Sequence, residues 1–370
     1  MAARSEEQIL TDFLAGTGRA GRLRRNLAAN QHRNWLLAIL LHAFRRHAEG
    51  AKLSDLEAGI IAAFKQHGYD DAQLTRKGRL AAKLDDSVRA ELFGPGFADL
   101  DGSAPYTKKQ LAAQAPEIVR TMLAQPTVTV VDVAGIHAGR STLGDVRLPS
   151  EQVLREHSSS TTVAIEGGAA ASAAKTATGS TFSVKATTFR CNHRGADSVF
   201  NPLEEFYFVF GTVYGGDQDF NSQSQVFENV DTGQTRTFPA VDGVLWGPNG
   251  VPEPLVPGEI GFLVSAWEHD SGDRGEIRDA VAAAFAATGV VLALSGVAAW
   301  VGAVVVGVGG VVNWLLGYMD DDHVGDTSFD FDGLTLAKQL SSVGSSFPTV
   351  RRITNAGDDL TVTIVASRVS

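Results

Sequence analysis

The chain has 370 residues, 44% hydrophobic and 20% charged, a balance that excludes wholesale disorder and suits two or three domains. Its net charge of −10 argues against general nucleic-acid binding. Cys191 is the single cysteine, so no internal disulfide forms, and an oxidising compartment is neither required nor excluded.

The charge is unevenly spread. Residues 1–50 hold eight arginines (4, 19, 22, 24, 25, 33, 45 and 46) against Glu6, Glu7, Asp12 and Glu49, a balance of +4 that leaves −14 on the other 320 residues. The opening residues lack the apolar core of a Sec signal peptide. The expectation is synthesis as a soluble cytoplasmic protein. Release, or transfer to a target membrane, would then use lysis or dedicated delivery or secretion machinery.

Residues 1–125 read as an all-α domain. Trp35, Ile39, Leu40 and Phe44 recur at helical spacing, and the apolar run Trp35–Leu41 is too short for a span. Ser54-Asp55-Leu56-Glu57 is a capping box, with Gly68 as the stop. Further helices are expected over Thr75–Leu92, stopped by Gly94-Pro95-Gly96, and over Thr107–Leu123, ended by Pro126. The arginines of 19–25 suit a solvated helix face or flexible arm; the other use of such a patch is contact with phosphates or lipid headgroups.

From Thr127 the period changes to that of strands. Thr127–Val133, Thr181–Thr188, the aromatic Glu205–Tyr214, Gly261–Trp267, Thr327–Phe331 and Leu360–Val365 read as strands, and Glu166–Gly179 as a linker. Short strands punctuated by turns suggest an antiparallel sandwich. Residues 127–165 are either its first strands or a connecting segment.

Ala280–Met319 is the unusual stretch: forty residues without one charged side chain, closed on both sides by acidic clusters. It reads as two helices, Ile277–Leu294 and Val297–Leu316, turning at Ser295-Gly296, each long enough to span a bilayer. Its glycines and alanines offer small faces for close helix packing. No Lys or Arg anchor lies within it, which favours conditional insertion from a soluble form over permanent residence in a membrane. The competing reading is a hairpin buried against the N-terminal helices or a partner subunit.

The second half of the chain resembles a C2 domain, the β-sandwich with which many proteins bind Ca²⁺ and membranes. The likeness rests on Phe182–Ala186, Asp197 and Leu203–Val209 for the opening strand, first loop and next strand. It continues in Leu263–Asp270, in Asp321-Asp322-His323-Val324-Gly325 with Thr327–Phe331, and in Asp359–Ile364 as the closing strand. It covers residues 180–370. Glu268, and Glu204 or Glu205, stand where the family usually has Asp, and the family's brief third loop is replaced by about fifty residues, 271–320. That loop is one of those that meet the bilayer in C2 domains. The resemblance therefore implies calcium as cofactor, held by Asp197, Glu205, Glu268, Asp270 and Asp321, whose mutual repulsion a cation would relieve.

No nucleophile elbow, zincin, Walker or dinucleotide fingerprint occurs, and Cys191-Asn192-His193 and His157-Ser158-Ser159-Ser160 are isolated polar groups, so no catalysis is expected. The expected fold is α+β: an all-α domain over 1–125, then a C2-like antiparallel sandwich over 126–370 with a hydrophobic hairpin inserted at about 277–318. The expected function is membrane insertion of a pore-forming or toxin-like kind. Val290, Leu292, Leu294, Trp300, Val304, Val305, Trp314 and Leu315 would enter the lipid. The expected partners are a lipid membrane and copies of the chain in a homo-oligomer, with no nucleic acid. The alternative is a soluble structural or interaction module whose hairpin is permanent core or oligomer interface.

Overall fold

Side-chain caps set the helix starts of the N-terminal region. Ser54 accepts the Glu57 amide at 3.2 Å while the Glu57 carboxylate accepts the Ser54 amide at 2.7 Å, and Asp70 with Gln73 and Thr107 with Gln110 repeat the device. In the computed structural model, residues 6–142, 145, 147–165, 179–195, 204–214, 220–247, 250–255, 259–269, 274–295, 301–317 and 321–370 are described. The helices are α1 (Glu6–Ala15), α2 (Gly18–Ala29), α3 (Trp35–Ala48), α4 (Asp55–Gln66), α5 (Asp71–Ala82), α6 (Asp86–Leu92) and α7 (Lys108–Leu123), with a short 3-10 turn over Gln31–Arg33. The single helix expected over Thr75–Leu92 is two. Asp85 caps a new start by accepting the Val88 amide at 2.9 Å.

The strands are β1 (Val128–Asp132), β2 (Ser159–Ile165), β3 (Phe182–His193), β4 (Glu204–Tyr214), β5 (Phe220–Gln223), β6 (Phe227–Val230), β7 (Thr235–Thr237), β8 (Val244–Trp246), β9 (Glu259–Glu268), β10 (Asp322–Asp332), β11 (Ser346–Thr354) and β12 (Asp359–Arg368). Short helices α8 (Val133–His137) and α9 (Glu151–His157) lie between β1 and β2. Helices α10 (Arg274–Ser295) and α11 (Val301–Gly317) separate β9 from β10, and α12 (Gly333–Gln339) follows β10. The class is mixed α+β, with helices first and a β region after them.

Two compact units result: residues 1–125 with 270–323, and residues 126–269 with 324–370. The hairpin, which lies within the β region by sequence, thus folds with the N-terminal helices.

The β unit has two sheets, ordered β1-β2-β10-β9-β4-β5 with β6 also on β4, and β11-β12-β3-β7 with β8 also on β3. The second sheet is antiparallel throughout. The first departs from the antiparallel expectation: β1, β2 and β10 pair in parallel, Val130 opposite Val163 and Thr327 opposite Ser160. A parallel neighbour needs a crossover, and the segment with α8 and α9 supplies it for β1 and β2. Residues 127–165 therefore contribute strands as well as a connection. One core is shared by both sheets. Phe182, Phe189, Val362 and Ile364 come from the second sheet, Phe206, Phe208, Phe262 and Phe329 from the first.

Candidate functional site

The apolar hairpin is the element whose composition asks for an explanation, and in the helical unit it is core. Helix α11 is apolar except for Asn313, and all its residues from Ala303 to Leu316 are buried. It packs on α2, α3, α7, α10 and the 3-10 turn, while α10 packs on α4 and α7. Glycine makes these approaches close. A Cβ on Gly307 would lie 3.0 Å from the Trp35 ring, one on Gly310 3.0 Å from the Arg33 carbonyl, and one on Gly59 of α4 2.6 Å from Val290 Cγ1.

Of the residues expected to enter lipid, Val304, Val305, Trp314 and Leu315 are buried, and Val290 is half-buried against Gly59. The Lys77 ammonium of α5 sits 5.7 Å from the Trp314 ring centre. Leu292 and Leu294 lie in α10 with side chains outside the described residues, and Trp300 lies outside them altogether. Of the two spanning helices expected, Ile277–Leu294 falls within α10, whereas residues 297–300 of the other lie outside the described residues. Among the described residues no helix is long and apolar enough to cross a membrane. Helix α10 spends its first turns on Arg274, Glu276, Arg278 and Asp279, and the 17 residues of α11 reach only about 26 Å.

Polar groups fasten the hairpin where its composition supplies one. Asn313 donates to Asn26 Oδ1 at 3.0 Å, Asn26 lies 3.2 Å from His323 Nδ1, and Arg33 Nε donates to the Val306 carbonyl at 3.5 Å. The arginines of 19–25 are not simply a solvated face. Arg22 and Arg19 pair with Asp322, and Arg24 pairs with Glu91 and donates to the Leu14 carbonyl.

The surrounding helices carry a buried ionic lock that sequence reasoning recognised only as a cap. Glu57 is fully buried, with His42 Nε2 at 3.1 Å, Arg46 Nε at 3.3 Å and the Tyr106 amide at 2.8 Å. Arg46 also donates to the Gly102 and Lys52 carbonyls at 2.7 and 2.6 Å. Burial alone would raise the Glu57 carboxyl pKa, but hydrogen bonds from His42, Ser54 and Tyr106 outweigh it and hold the group below the usual carboxylate range. A small open cavity of about 70 Å³ is lined by His32, Trp35, Phe97, Gln114, Ile118 and others. That is far below the few hundred Å³ of an ordinary ligand pocket.

The acids assigned to calcium are not gathered by what is described. Asp197 and Asp270 lie outside the described residues. Asp321 is buried in the helical unit, and Glu205 and Glu268 belong to the β unit. Glu268 faces Phe206 across β9 and β4, whereas Glu205 is the next residue along β4 and so points from the opposite face of the sheet. Among the described residues no group of three or more His, Cys, Asp or Glu is arranged to hold a metal ion.

The β unit also holds a polar seam that sequence reasoning left as isolated groups. Ser160 donates to Thr327 and Thr161 bonds Ser328, both at 2.9 Å and all buried. Beside them the fully buried Arg351 donates to Thr162 Oγ1 at 2.8 Å and stacks 4.7 Å from the Phe329 ring centre. Burial pushes its pKa down to about 10, against the pull of Asp330. The run Ser158–Thr162 was the visible signal: five hydroxyl residues, the last four on β2, need partners once buried. Cys191 is sealed in the sandwich core while His193 is exposed, and burial pushes the thiol up to about 11, so this pair makes no nucleophile.

No protein-family model and no curated protein matches the chain. Two solved structures of human GIVD cytosolic phospholipase A2 with methyl gamma-linolenyl fluorophosphonate, one also with terbium chloride, are similar to 52% and 51% of it, at 7% and 8% identity and a TM-score of 0.25. The chain spans 17% of their length.

Proposed function

We propose that the protein acts on a lipid membrane, holding its apolar hairpin inside a sheath of helices until a membrane accepts it. One observation carries this reading. The hairpin's packing partners come from residues 1–125, whereas both its ends continue into β9 and β10, which are neighbours in one sheet. Sheath and hairpin are thus joined only through the chain of the β unit, and the two can part without unpairing a strand. Six buried valines of α11 alone hold on the order of 10 kcal/mol of apolar burial. That is comparable to the stability of a whole domain, so release into water is excluded as a working step and lipid is the medium that replaces the sheath. A pore-forming or toxin-like outcome, self-association, calcium assistance and a C2-like role for the sandwich belong to this proposal.

The second reading, a permanent structural core, is favoured by the absence of a spanning helix among the described residues. A reversible cross-link separates the two. The Cβ of a residue at position 59 would lie 3.8 Å from Val290 Cβ, the spacing of a disulfide. Full-length Gly59→Cys/Val290→Cys is expected to release dye from liposomes when reduced and to stop when oxidised. A chain that neither binds nor permeabilises liposomes in either state, with or without calcium, is a structural module.

A further inference from the structure

The basic stretch of α2 has one member turned inward and three turned outward. Arg24 is spent on Glu91 and the Phe13 and Leu14 carbonyls. Arg19, Arg22 and Arg25 follow one another at three-residue intervals, with Arg22 and Arg25 exposed and Arg19 half-buried, on the side away from buried Ala20, Leu23 and Leu27. The residue that meets this stripe is Asp322, five positions beyond the end of α11. Arg22 donates to its carboxylate, and Arg19 Nε lies 3.6 Å from it. Next to that contact Asn26, one turn along α2, reaches both Asn313 of α11 and His323. Helix α2 thus clasps the C-terminal end of the hairpin, through charge at its wet edge and through amides further in.

We infer that this clasp is a latch sprung by an anionic lipid surface, whose headgroup phosphates take Arg19 and Arg22 from Asp322. The inference rests on the membrane reading above and names its trigger. Two guanidinium groups share the one Asp322 carboxylate, and Arg25 adds a third positive charge to the same stripe of α2. Guanidinium binds phosphate with the same fork of donors it offers carboxylate. The magnitudes favour exchange. A partly exposed ion pair holds its partners by about fivefold or less, while each arginine brought to an anionic leaflet gains about fivefold and three together about a hundredfold. Asp321, the residue before the latch carboxylate, is buried.

The test is co-sedimentation and dye release with the full chain, on phosphatidylcholine vesicles and on vesicles with one-third phosphatidylglycerol. Wild type is expected to prefer the anionic vesicles. Arg25→Gln, which leaves the Asp322 contact intact, is expected to lose about fivefold in partitioning, and Arg19→Gln/Arg22→Gln/Arg25→Gln about a hundredfold. Asp322→Asn opens the latch and is expected to release dye from neutral vesicles that wild type leaves sealed. Unchanged preference in the arginine variants, or wild-type behaviour of Asp322→Asn on both vesicles, overturns the latch while leaving the membrane reading standing. Equal capture of a single-stranded oligonucleotide through the same arginines overturns the lipid assignment. Failure of every variant and of the reduced Gly59→Cys/Val290→Cys chain to bind any vesicle removes the latch and the membrane reading together.

Discussion

The two units differ in what sets the tightest packing of their interiors. The β unit is filled by large rings: Phe189, Phe208, Phe227 and Phe238 meet edge to face or tilted at 4.8–6.5 Å, a geometry that gains from ring quadrupoles as well as from area. The helical unit buries rings too, Phe44 edge to face on Phe64 at 4.9 Å, but the hairpin it encloses is mainly valine, alanine and glycine, and Gly59, Gly307 and Gly310 leave no room for a Cβ without movement. Its other interior device is charge, in the lock of Glu57, Arg46 and His42. An aromatic core fails by losing volume, a small-residue core by gaining it. This contrast turns into predictions.

The largest effects lie at the centre of each unit. Phe208→Ala is expected to cost the β unit about 3–5 kcal/mol, read as a lowered urea midpoint in near-UV circular dichroism. Glu57→Gln is expected to cost the helical unit about as much, because Arg46 is then buried beside a neutral amide. The same carboxylate gives this unit an acid limit. Its folded pKa is depressed, so its contribution is complete above the ordinary glutamate value of about 4.3 and is lost as pH falls through the lower folded value. The slope of helical stability against pH in that acid window should flatten in Glu57→Gln. A variant with the wild-type slope would place the titrating group elsewhere.

Adding volume sharpens the contrast at smaller cost. Gly307→Leu forces a side chain into the Trp35 ring and is expected to destabilise the helical unit by about 1–3 kcal/mol, with a changed tryptophan emission and an unchanged sandwich transition. Under the membrane reading the same variant partitions to vesicles more readily than wild type, since the sheath has been loosened. Thr107→Ala removes one cap of α7 and is expected to cost about 1 kcal/mol, measured as a helical midpoint shift.

The legibility of the fold follows the same physics. Helices marked by local chemistry were readable, as at Ser54 and Thr107, because a cap is a contact between residues three apart. The break at Asp85 was missed because its cap competes with a continuing helical pattern. Strands rich in aromatic or β-branched residues were readable. Ser159–Ile165 was left open between strand and connection, since its hydroxyls find their partners on β10, about 167 positions away. The hairpin was legible as two helices, and the N-terminal helices were one of the partners the sequence left open for it. Apolarity says that a helix is buried and never against what, so only the folded chain shows α11 among the N-terminal helices. The acids assigned to calcium were read from loop positions, where one residue of register decides between two faces of a sheet, and Glu205 and Glu268 fall on different ones.

The smallest expected effect gives the comparison its reporter. Cys191 is the single thiol, it lies wholly inside the sandwich core, and its pKa stands at about 11, raised first by burial and then by Asp358 and Asp231. At pH 8 that leaves about one thiolate in a thousand, and the few that form are shielded from reagent by the phenylalanine cluster. A thiol-specific reagent should therefore leave the native chain unlabelled over the time in which the denatured chain reacts fully. Labelling reports opening of the sandwich and nothing of the sheath. Under Glu57→Gln or Gly307→Leu the rate should stay near its native value even where the helical signal has fallen, and under Phe208→Ala it should rise. A rate that climbs equally in all three would mean that the two cores open as one, and that both kinds of packing serve a single cooperative fold.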